Sequence, residues 1–262
     1  IASDRIHFSL ARSLVENPSL ICGAMAACLQ TSEVQTFGFN IIKLLPYYLE
    51  DKHDFGEQGE CDLLYLAIRR HIDNSSLVES GLECGEVLAA ARYENKKHFG
   101  KLDGLRSIRF VIEAYDDNAV ILTKCFNLLV TICSGCTEIQ DALHDSGFLS
   151  YLLAFLNAHQ GDEDVVHCIC EVIYRLFAQH NATNSLLLAG LDSVNLYLDV
   201  LSNNVTSTIT CTAISRLIMA ITNESREEIV NVLLASKAAA SLMQALLNGT
   251  TNGIITKVVK LV

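Results

Sequence analysis

Proline is nearly absent: Pro18 and Pro46 are the only two in 262 residues. No Asn-Gly or Asp-Gly step stands between alternating strand-like runs, so the chain offers little punctuation for a sheet. Cations are also scarce, 19 Lys and Arg against 30 Asp and Glu for a net charge of −11. That balance disfavours wrapping around a polyphosphate, because nucleic-acid affinity comes from cations that displace counterions. No apolar run reaches the roughly 18 residues of a membrane span. The sequence has no Gly-Lys-Ser/Thr phosphate loop, no His-Glu-x-x-His and no Gly-x-Ser-x-Gly. Tryptophan is missing altogether.

What is present is apolar and ordered: half the residues are hydrophobic and the mean hydropathy is +0.31. The chain opens on Ile1 without an initiator Met or a signal-peptide pattern. The expectation is a cytoplasmic segment of a longer protein. Ten cysteines fall mostly inside apolar stretches and read as buried free thiols in a reducing compartment. Five Asn-x-Ser/Thr sequons, at Asn74, Asn181, Asn204, Asn223 and Asn248, keep an extracellular reading open, although Asn, Ser and Thr also gather at helix starts.

Apolar residues recur at three and four, as in Ala119 to Ile132 and Val165 to Phe177, which predicts amphipathic helices. The helices repeat. Gly38, Gly81, Cys125, Ile169 and Ala213 stand 43 or 44 residues apart. Four residues before them come Val34, Leu77, Ile121, Val165 and Ile209; seven after come Leu45, Leu88, Ile132, Leu176 and Ala220. Thirteen before, on a preceding helix, come Met25, Ile68, Ile112, Leu156 and Val200. Between the two helices, Thr31, Asn74, Asn118, Asp162 and Thr206 are the expected N-caps. Gly104, Gly147 and Gly190 read as left-handed stops after short helices at 96–103, 138–146 and 183–189. Each unit is then short helix, glycine turn, middle helix, capped turn and long third helix.

Three helices at this period resemble the armadillo family, within the armadillo/HEAT window. The glycine turn and the register Cys125, Leu129 and Ile132 carry the resemblance, which covers about residues 20 to 262. It implies an all-α, right-handed solenoid of five to six repeats, expected at 1–51, 52–94, 95–135, 136–180, 181–222 and 223–262, forming a single array. Two departures stand out. Gly85 occupies a core column, at about 1 kcal/mol against Ala. An acidic, glycine-containing loop from Glu50 to Glu60 replaces one short helix.

The resemblance implies a non-catalytic protein-binding scaffold in signalling, cytoskeletal or trafficking work, with a groove lined by third helices. Armadillo proteins of the importin α and β-catenin kind hold extended peptides with an asparagine ladder and tryptophan pockets. The asparagine register here reads Leu44, Val87, Thr131, Arg175 and Met219, so the ladder is absent. The tryptophan register reads Asn40, Glu83, Asn127, Glu171 and Ser215, polar and never basic. A mildly acidic groove suits a basic helix or folded domain rather than an extended strand; a solvated face without a partner is the alternative.

A basic island, Lys96, Lys97, Lys101, Arg106 and Arg109, could dock an acidic partner or an anionic membrane, or be the solvent side of a short helix. Cys133-Ser134-Gly135-Cys136 has redox-pair spacing but closes a long helix instead of following a strand. Cys168 and Cys170 point about 200° apart on a helix and cannot share a metal ion. No cofactor or metal is expected. The second reading is a regulatory domain sensing redox state or metal through its cysteines. The apolar segment from Ile254 to Val262 suggests that the array continues or self-associates at that end.

Overall fold

The computed structural model describes residues 18–48, 59–177 and 190–223. Among these residues there are twelve α-helices and no strand. The chain divides into two compact units, Ile1–Ile132 and Cys133–Val262. The acidic loop lies outside the described residues except for Gly59 and Glu60, and the segment from Ile254 to Val262 lies wholly outside them.

The first unit holds α1 (Pro18–Ala27), α2 (Ser32–Tyr48), α3 (Glu60–Arg70), α4 (Ser75–Ala91), α5 (Tyr93–Phe99), α6 (Leu102–Ala114) and α7 (Ala119–Cys133), whose last residue falls at the division. The long helix α2 packs against α4, and the middle helices α1 and α6 each pack against α3. The second unit holds α8 (Thr137–Asp145), α9 (Phe148–Ala158), α10 (Glu163–Phe177), α11 (Leu191–Asn203) and α12 (Thr208–Asn223). There α10 lies against α12, and α9 against α8, α10 and α11. The boundary expected between residues 94 and 95 falls inside α5, because the backbone turns extended at Arg92, with φ −147°.

The packed columns are those of the repeat. Gly38, Gly81, Cys125, Ile169 and Ala213 are all buried, and so are Met25, Ile68, Ile112, Leu156 and Val200. The two columns touch at Gly81, where a β-carbon would stand 2.8 Å from Ile68 Cδ1. Gly85 is closely packed, with a β-carbon there 3.3 Å from Leu128 Cδ2 on α7. Ile209 departs from its column at 48 % exposure. It sits in the first turn of α12, displaced because that helix starts one residue later than the register predicts.

The caps explain the shift. Asn74, Asn118 and Asp162 each accept from the backbone N–H three residues on, at 3.1 to 3.2 Å. In the last described repeat the cap is Ser207, whose Oγ accepts from Thr210 N at 3.2 Å, instead of Thr206. Thr31 precedes α2 and its carbonyl accepts from Gln35 N. The buried Gln35 amide donates to Met25 O and Cys28 O, both at 2.9 Å, satisfying carbonyls at the end of α1.

Of the three expected glycine stops, Gly147 is left-handed, with φ +68°. Gly190 is extended, with φ −63°, and the short helix expected before it lies outside the described residues. Gly104 sits inside α6, and α5 ends earlier, at Phe99. Its glycine is required by close approach: a β-carbon would collide with Phe99 O and lie 2.7 Å from Tyr65 Oη. Gly59, with φ +88°, supplies the left-handed turn before α3.

Candidate functional site

The long helices α2, α4 and α7 of the first unit are joined by ion pairs. Glu83 on α4 accepts from Lys43 on α2 at 2.8 Å and from Lys124 on α7. Asn40 Oδ1 accepts from Ser80 Oγ at 3.2 Å. Both lysines hold the Glu83 carboxyl below its ordinary value through hydrogen bonds. Burial raises neighbouring Glu86, with Glu83 adding to the rise and Lys124 opposing it.

The second unit repeats the motif. Glu171 on α10 accepts from Arg175 at 2.7 Å and from Arg216 on α12 at 3.1 Å. The Arg216 guanidinium lies 4.5 Å from the Tyr174 ring centre. Glu83 and Glu171 are therefore compensated, which corrects the expectation that they make the groove acidic. On the long helices α2 and α4, Glu33, Glu79 and Glu86 make no ion pair among the described residues.

Asn40 and Asn127 are exposed, Thr131 is half-buried and Arg175 is exposed. Ser215 is fully buried, so it cannot line a groove; its hydroxyl has no hydrogen-bond partner among the described residues. The side chain of Met219, on α12, is outside the described part. The signal that sequence reading missed is cationic, since Lys43, Lys124 and Arg216 occupy three different registers and form no column. Phe37 and Leu44 on α2 are 63 % and 49 % exposed, one face with Asn40.

The basic island is partly neutralised. Lys97 lies 3.9 Å from Glu94 and over Tyr93, Arg106 is 3.8 Å from Asp103, and Arg109 is 2.7 Å from Glu113. Lys101 Nζ stands 3.3 Å from His98 Nδ1, and Lys96 is half-buried.

All ten cysteines are free thiols, and only Cys28 is exposed. Burial, followed by the charge of Glu60, pushes Cys22 and Cys61 up to about 12. Cys133 and Cys136 are buried around Gly135, whose φ of +71° ends α7. Among the described residues no three His, Cys, Asp or Glu side chains gather closely enough to hold a metal ion. No described helix is long and apolar enough to cross a membrane. Of the sequons, Asn74 is exposed but serves as a cap, whereas Asn204 is buried, donating to Gln160 O and Val200 O at 2.7 and 2.8 Å. Asn181 and Asn248 lie outside the described residues.

Compared with known protein families, curated proteins and solved structures, the chain matches none.

Proposed function

We propose that the chain is an armadillo-like repeat array and a non-catalytic protein-interaction module of a larger cytoplasmic protein, one that binds its partner across the third helices. The observation that carries the reading is the paired exposure of Phe37 and Leu44 on the face that Lys43, Glu83 and Lys124 tie together. Large apolar side chains held open on a face braced by ion pairs cost hydration free energy that a partner would recover. The period, the touching core columns and the caps support the repeat assignment. The partner is a basic helix or folded domain: an extended strand would leave its amides unpaired without an asparagine ladder, and Glu33, Glu79 and Glu86 favour cations.

Affinity capture with the intact chain and with a Phe37→Ser/Leu44→Ser double variant tests this. The reading expects the principal partner to be lost while circular dichroism stays unchanged. An unaltered partner set would contradict it.

A further inference from the structure

The middle helices of the first unit carry a second exposed row, independent of the third-helix face. Leu66 on α3 and Phe110 on α6, 44 residues apart on helices that pack together, are 53 % and 42 % exposed. At the same register on α1 stands Gly23, where a β-carbon would meet nothing within 4 Å. Ser19, Gly23, Ala26, Leu63 and Leu66 line a shallow, largely apolar groove between α1 and α3, with Asp62, paired to His98 at 2.7 Å, at its edge.

The charge around this row opposes that of the whole protein. Helix α1 carries none, whereas α3, α5, α6 and Lys101 present seven Lys and Arg against four carboxylates, apart from the buried Glu60. Among the described residues Arg69 makes no ion pair, and Arg106 faces Asp103 only at 3.8 Å, with side chains 67 % and 91 % exposed, a contact worth little in water.

We infer that this face docks an acidic amphipathic helix of another protein, its apolar side chains crossing Gly23, Leu66 and Phe110 and its carboxylates meeting Arg69 and Arg106. Neighbouring helices pack about 8–10 Å apart, close to the roughly 10.5 Å between residues i and i+7 of a helix, so one partner helix can reach adjacent apolar positions. A flat anionic membrane fits less well, because Asp62, Asp103 and Glu113 share these helices and would be pressed against like charge. A peptide can place its charges around them.

The test uses the full chain and a fluorescein-labelled helix of Leu and Glu, its Lys-for-Glu counterpart, and phosphatidylserine vesicles. The acidic peptide should bind saturably and roughly tenfold more tightly than the basic one. Its affinity should fall roughly tenfold in Arg69→Gln/Arg106→Gln and in Leu66→Ser/Phe110→Ser, and hold in Phe37→Ser/Leu44→Ser. That last variant separates this face from the third-helix face. Absence of saturable binding, equal affinity for both peptides, indifference to the Arg69 and Arg106 changes, or binding to vesicles alone would overturn the assignment.

Discussion

Ile68 fills the space that a side chain at Gly81 would need: a β-carbon built there would stand 2.8 Å from both Cγ1 and Cδ1 of Ile68. The residues lie 13 apart on α3 and α4, and Met25 and Gly38 make the same contact on α1 and α2. Glycine is unfavourable inside a helix by about 1 kcal/mol. The position is held by the approach of the neighbouring helix, which brings the two backbones together without a void.

Gly81→Ala should therefore destabilise the chain by about 1–2 kcal/mol, the overpacking outweighing the gain in helix propensity. Gly23→Ala, on the middle helix α1 with open space around it, should stabilise by about 0.5–1 kcal/mol. Urea denaturation of both variants checks the opposite signs.

Glu83 and Glu86 should respond to pH in opposite senses. The carboxyl of Glu83 is lowered by its lysines, so its stabilisation is complete above the ordinary value of 4.5 and is lost as pH falls through the lowered one. Glu86 is raised by burial, so its charge opposes folding above the raised value and the penalty disappears on acidification. At pH 7 Glu83→Gln should cost at most about 1 kcal/mol, since the carboxylate is 43 % exposed, whereas Glu86→Gln should stabilise. Unfolding curves at pH 7 and pH 3 should show both differences shrinking.

Thiol labelling of the native chain should proceed in one fast step at Cys28, with the other nine reacting only as the protein opens. Mass spectrometry after brief maleimide exposure reads this directly. Rapid modification of Cys133 or Cys136 would revive the redox reading.

Successive turns are stapled by side chains. His71 Nε2 bonds Leu29 O at 2.8 Å, Tyr115 Oη donates to Ile72 O, and Asn204 Nδ2 donates to Gln160 O at 2.7 Å. Asn204→Ala should cost about 1–3 kcal/mol because it leaves buried carbonyls unpaired, and Tyr115→Phe about 1 kcal/mol. Thermal or urea unfolding measures both.

The helical architecture was readable because burial imposes period on sequence: Met25 meets Gly38, and Ile68 meets Gly81 43 residues further along. Local chemistry was harder to read. Gly104 looked like a turn residue, yet its need for glycine comes from the backbone of nearby Phe99 and from Tyr65, distant in sequence, an approach visible only in the fold. Glu83 and Glu171 looked like a free acidic column because their partners enter from neighbouring helices at irregular spacing, 40, 41 and 45 residues away. Ser215 shared a polar register but fell into the core, which a pattern of residue types does not reveal.

The most direct measurement is hydroxyl-radical footprinting of the purified complex with the captured partner, set against the free chain. Protection of Phe37 and Leu44 on α2, with Val120 on α7, which is 56 % exposed, is the predicted result. Unchanged reactivity at all three would contradict the assignment of the third helices as the binding face.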